Sequence, residues 1–112
     1  MVQHSARIVN SLQSQVDEGE RQKRAEAAER KRIARLEDLA RRESQIWIEV
    51  EALIQRSQAR PYDEATRLLG ELKELAAHQG REGDFAARMS ELAGRYSRHS
   101  ALLGRFRRAK LI

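Results

Sequence analysis

The chain has no cysteine, one proline and six glycines in 112 residues, and only 4% of its residues are aromatic. Without cysteine there is no disulfide framework, no thiol nucleophile and no thiolate zinc site. Few turn-forming residues and few aromatic or β-branched runs argue against a sheet protein, and the abundance of Arg, Glu, Ala and Leu points to long helices. No stretch approaches the ~18 consecutive apolar residues of a membrane span. The N-terminal MVQHSARIVNSLQ lacks a basic segment followed by an apolar run, so no secretion signal is expected and the protein is expected to be cytoplasmic. Gly-rich phosphate loops, nucleophile elbows and HExxH motifs are absent. The three histidines, His4, His78 and His99, are far apart in sequence, and the carboxylates are spaced for helix-surface pairing with arginine. No catalytic residue, cofactor or metal site is expected, and the chain reads as a non-enzyme.

What the chain does have is charge, 35% of its residues, with a formal net charge of +5. The excess is local. Between Leu92 and Ile112 lie Arg95, Arg98, Arg105, Arg107, Arg108 and Lys110 and no acid, whereas the first 91 residues hold sixteen basic and seventeen acidic residues. The C-terminal cluster is a candidate set of phosphate contacts for non-specific nucleic-acid binding, which would weaken steeply with salt. The reading given more weight is a solvated cationic face. Docking on an anionic membrane through Leu103, Phe106 and Leu111 is a weaker third reading, since a small bundle needs those same residues to close its end.

From the N-terminus, Val2, Val9, Leu12 and Val16 share one helical face. Such a stretch cannot bury itself, so it either packs on another chain or frays. Gly19 costs ~1 kcal/mol relative to alanine if a helix runs through it. From Asp17 to Glu43 eight acidic and nine basic residues alternate. Acid-to-base pairs in the favourable i to i+4 order recur at Asp17/Arg21, Glu20/Arg24, Glu26/Arg30, Glu37/Arg41 and Asp38/Arg42, each worth a few tenths of a kcal/mol. A heptad continued from Val9 and Val16 would place Lys23 and Arg30 on the seam, which suits a solvated rod better than a coiled coil. Near-neutral local charge also argues against a basic nucleic-acid-binding arm.

The apolar face returns at Ile33 and Leu36 and broadens through Leu39, Ala40, Ile46, Trp47, Val50, Leu53 and Ile54, wide enough to meet two neighbours. Trp47, the only tryptophan, reads as core rather than as a ligand platform. Ile48 lies off the stripe and is a candidate second contact surface. The spacing predicts one helix continuing to about residue 58, ~75 Å long if unbroken from Arg7 to Ser57, and stopped by Pro61.

Three further helices are predicted at about 61–79, 84–97 and 100–110. Pro61-Tyr62-Asp63-Glu64 puts proline and two acids in a first turn. Ala65, Leu68, Leu69, Leu72, Leu75 and Ala76 follow at core spacing, and Gly80 is a C-terminal stop. Gly80-Arg81-Glu82-Gly83 reads as a turn with Asp84 as a cap, before Phe85, Met89, Leu92 and Tyr96. The last helix would bury Leu102, Leu103, Phe106 and Leu111.

The run Trp47-x-x-Val50-x-x-Leu53-Ile54, with Pro61-Tyr62-Asp63-Glu64-Ala65, Leu68-Leu69, Leu72, Leu75-Ala76, Gly80, Phe85, Arg88-Met89, Leu92, His99 and Leu102-Leu103, resembles the helical region that follows the zinc finger in bacterial SWIM zinc-finger proteins. The resemblance covers roughly Arg35 to Leu111. It implies a helical module, or a piece of a longer protein, related to helical-repeat scaffolds. The finger's metal and its binding residues do not carry over to a chain without cysteine.

The expected architecture is all-α: an amphipathic, then charged extension over 1–34 and a bundle of about four helices over 35–112. The expected function is a helical scaffold or protein-interaction module, self-associating as a homodimer through the long helix, parallel or antiparallel. Val9, Leu12, Val16, Ile33, Leu36 and Ile48 are its candidate contacts with a second copy or another protein partner. A nucleic-acid-handling system is a candidate setting, and a nucleic-acid-binding protein using the basic tail is the alternative.

Overall fold

A computed structural model describes the backbone of residues 2–112 and the side chains of residues 16–112. The order of elements is α1 (Val2–Arg41), α2 (Glu43–Gln55), α3 (Ala59–His78), α4 (Glu82–Arg95) and α5 (Ser100–Arg108), with no strand among the described residues. The fold is all-α, a long N-terminal helix followed by shorter helices that pack together. Two compact units divide it, residues 1–35 and residues 36–112.

Residues 2–35 of the first unit are a single run of helix, and from residue 16 onward it is carried by local pairs. Glu20 pairs with Arg24 at 3.5 Å, and Arg32 donates from Nε and Nη2 to both oxygens of Glu29 at 3.0 and 2.7 Å. Arg21 donates to the backbone oxygen of Asp17 at 3.4 Å. The helix runs through Gly19, so the propensity cost there is borne by the helix itself.

The second unit is organised around α3, on which α2, α4 and α5 all pack, α2 most extensively. Leu68, Leu69, Leu72, Leu75 and Ala76 are buried on that helix, together with Pro61, Tyr62 and Ala65. Phe85, Met89 and Leu92 of α4 join the same cluster, as do Leu102, Leu103 and Phe106 of α5, and Leu111 closes it. Leu53 and Tyr96 are only partly buried against it. Tyr62, which periodicity does not single out, is in the core with 7% of its surface exposed.

The helix expected to run unbroken to about residue 58 is divided. Arg42 leaves helical geometry at φ −111° and ψ 10°. Its N–H reaches back three residues to Leu39 O at 3.0 Å, and its own carbonyl accepts from Ile46 N–H to start α2. No glycine or proline stands between Gly19 and Pro61, so nothing local announces the break. Its cause lies in packing: Leu36 and Leu39 before it and Ile46, Trp47, Val50 and Ile54 after it all enter one core, and a bend wraps both stretches around that core. Leu36, expected at an intermolecular contact, is 0% exposed inside the unit and has no surface to offer a partner.

Helix ends depart from expectation in instructive ways. α3 begins at Ala59, two residues before Pro61, and its first bond is Tyr62 N–H to Gln58 O at 3.0 Å. Proline is tolerated there because first-turn N–H groups have no intrahelical acceptor. Likewise α4 starts at Glu82, so Gly83 and Asp84 are in its first turn. Its cap position is Arg81, which makes no side-chain capping bond. Asp84 instead accepts from Arg81 Nε at 3.3 Å. α4 and α5 end at Arg95 and Arg108, about two residues sooner than expected.

Two ends close by the same device. After α3, Gly80 takes a left-handed φ of 68°, with Arg81 N–H bonded to Ala76 O at 2.8 Å and Gly80 N–H to Ala77 O at 3.3 Å, the paired bonds of a Schellman motif. After α5 the pattern repeats: Leu111 N–H bonds Phe106 O at 2.9 Å and Lys110 N–H bonds Arg107 O at 3.0 Å. Here the left-handed residue is Lys110, φ 59°. A side chain in that conformation costs ~1 kcal/mol. Ser57, φ 51°, ends α2 in the same region of conformational space.

Candidate functional site

No group of three or more His, Asp or Glu side chains that could hold a metal occurs among the described residues. His78 is exposed in the last turn of α3. His99, just before α5, has its Nδ1 3.3 Å from the Tyr62 hydroxyl and stacks edge-on against Tyr96 at 5.4 Å, a packing role between α3 and α5. His4 lies outside the described side chains. Several carboxylates pair with arginines. Arg67 bridges Glu64 and Glu71, and its hydrogen bonds hold the Glu64 carboxyl below its ordinary range while Glu64 raises Arg67.

The basic C-terminal cluster is divided by the fold. Arg105 is only 19% exposed. It donates from Nε to Asp63 at 2.6 Å and from Nη1 to Ala101 O at 3.0 Å, 5.7 Å from the centre of the Tyr62 ring. Arg95 pairs with Glu51 of α2 at 3.2 Å and with Glu91 at 4.0 Å. Both are therefore fastened to neighbouring side chains, Arg105 tying α5 to α3 and Arg95 tying α4 to α2. Of the six candidate phosphate contacts, these two already have carboxylate partners. Arg98, Arg107, Arg108 and Lys110 are exposed, with no ion pair among the described residues.

Two surfaces of the second unit are concave and apolar enough to receive something. On the first, Trp47 is 5% exposed, packed 6.1 Å from Phe85 and covered by the Arg88 guanidinium, 4.1 Å above its ring. Beside it a cleft of about 360 Å³ runs between α2 and Arg88, lined by Ile48, Glu51, Ala52 and Gln55. Ile48 stands 64% exposed on its edge. Gln45, Ile48, Ala52 and Gln55 recur at three- and four-residue spacing, all exposed and none charged, in a chain where 35% of residues are charged.

The second surface is a groove of about 500 Å³ between α3, α4 and the residues after α5. Ala77, Phe85, Ala86, Leu111 and Ile112 form its apolar lining, Lys73 and Lys110 stand at one place on its rim, and Glu82 and Ser90 also border it. Lys73 Nζ donates to the Lys110 carbonyl oxygen at 2.6 Å. Nothing in the sequence periodicity brings these residues together, because the contact joins positions 37 apart.

Of the candidate contact residues, Ile48 and Val16 are exposed, Ile33 is partly buried and Leu36 is in the core. Val9 and Leu12 lie outside the described side chains. No protein-family model, curated protein or solved structure matches this chain.

Proposed function

We propose that this chain is a non-enzymatic helical interaction module that self-associates as a homodimer through residues 1–54, and that Ile48 is a central contact. The observation that carries the reading is the uncharged outer stripe of α2, Gln45, Ile48, Ala52 and Gln55, beside the Trp47 cleft. Depletion of charge at the centre of an exposed patch, with an aromatic residue and arginine beside it, is the composition of protein interfaces. Ala52 allows close approach of a second helix, and the cleft beside Trp47 is a place for a partner's apolar side chain. The resemblance to a helical region of SWIM zinc-finger proteins agrees with a scaffold role, in which another protein is the alternative partner.

Sedimentation velocity at tens of micromolar tests the reading. The wild type is expected to sediment as a dimer, and Ile48→Glu as a monomer with unchanged helicity, because Ile48 is outside the core. A monomeric wild type removes self-association from the proposal.

Nucleic-acid binding is the second reading, favoured by the four exposed cations Arg98, Arg107, Arg108 and Lys110, which have no ion pair among the described residues. Four phosphate contacts on duplex DNA would give a log–log salt slope no steeper than ~−3.6. Fluorescence anisotropy at two salt concentrations measures it, and absence of binding to duplex and single strands at low salt excludes it.

A further inference from the structure

We propose that the groove between α3, α4 and the residues after α5 binds a small amphipathic carboxylate, its apolar chain against Ala77, Phe85 and Ala86 and its carboxylate at the rim where the Lys73 ammonium meets the Lys110 backbone and the Lys110 side chain also lines the groove. A concave, mainly apolar groove with a few converging polar groups is the usual form of a small-molecule site, and about 500 Å³ is within the usual size.

Charge gives the groove a direction. α3 and α4 are joined by the tight turn at Gly80 and run back against each other. Glu82 therefore stands at the turn end and Lys73 toward the other, where it meets Lys110. From the level of Glu82 to that of Ser90, α4 rises ~12 Å. A ligand with one negative end is favoured with that end at the lysines and disfavoured in reverse, because Glu82 would then face it.

Lys73 is also held in place. Lys73 Nζ gives one of its three N–H bonds to the Lys110 carbonyl, leaving two for a ligand and little rotational freedom to lose on binding. Lys110 occupies the left-handed position of a Schellman motif, where glycine is the unstrained choice. A strained conformation retained at the mouth of a groove motivates a functional reading, and here the strain comes with a cation that glycine would lack.

The test separates stability from binding. In the full-length protein, titration with monomeric decanoate followed by amide chemical shifts should give saturable changes at Ala77, Ala86, Ser90 and Lys110. Lys110→Gly should raise Tm by about 4–8 °C and weaken decanoate roughly tenfold, the loss of one charge-assisted hydrogen bond. Lys73→Gln should weaken it by a similar factor. Ser57→Gly relieves the same kind of strain away from the groove, so it should raise Tm and keep the affinity. The proposal is overturned if Lys110→Gly binds decanoate as well as wild type, or if Ser57→Gly loses affinity to the same extent. It is equally overturned if decyltrimethylammonium shifts the same amides with equal affinity, or if decanoate shows no saturable binding.

Discussion

Residues 16–35 and residues 36–112 are both helical and both rich in arginine and glutamate, but they are stabilised by different physics. The first stretch has side-chain pairs three and four residues apart and no buried apolar cluster of its own. The second draws α2, α3, α4 and α5 around one core in which Phe106, Leu36, Ile54, Leu69, Leu75, Met89, Leu102 and Val50 are almost wholly enclosed. Local pairs contribute tenths of a kcal/mol each, and a buried side chain contributes several times more. Similar composition therefore gives a helix that melts residue by residue in one region and a cooperative unit in the other.

The comparison is put under most strain by removing core volume. Phe106→Ala should cost 3–5 kcal/mol, enough to unfold much of a unit of this size, with the urea midpoint followed by circular dichroism. Hydrogen exchange on the same protein should show strong protection in α3 and weak protection before residue 36. Strong, cooperative protection of residues 16–35 would show that the first stretch is not held by local pairs alone.

Smaller changes sharpen the contrast. Gly19→Ala meets no atom within 4 Å and should raise the helicity of the first stretch by about 1 kcal/mol of local stability without moving the urea midpoint of the second. Arg105→Met removes the link from α5 to Asp63 and should lower the unfolding free energy of the second unit by about 1 kcal/mol, seen as a lower urea midpoint, an effect that Arg24→Met in the first stretch should not have.

The smallest expected effect is a pH dependence. Arg67 depresses the Glu64 carboxyl in the folded state, so the unfolded chain takes up the proton first as pH falls through the ordinary carboxylate value of 4.5. Stability from this pair is present above that pH and is lost as the pH drops through the folded value. Because both groups are well exposed, the loss should stay below ~1 kcal/mol and should vanish in Glu64→Gln when thermal unfolding is compared between pH 3 and pH 6.

The candidate surfaces were legible to different degrees. Ile48 stands out from sequence because it lies off the apolar stripe of its helix, and an off-stripe isoleucine has few ways to be covered by its own fold. The groove on α3 and α4 was not legible. Its rim pairs Lys73 with Lys110, and a contact between residues so distant in sequence has no periodic signature. Tyr62 was missed for a related reason: it reads as part of a helix start, yet His99 and Arg105 from the far end of the chain fold over it. The division of the six C-terminal cations had no signal either, since Asp63 and Glu51, which engage two of them, belong to other helices.

By itself the sequence determined the helical class and most of the apolar faces, because those follow from a 3.6-residue period and from the scarcity of glycine and proline. It also determined the stop at Gly80, where only the backbone freedom of glycine is needed. Tertiary structure alone decided the break at Arg42, the enclosure of Leu36 and the left-handed turns at Ser57 and Lys110. At each of these places the local preference is helical or neutral, and the gain from bringing distant apolar groups into one core outweighs it.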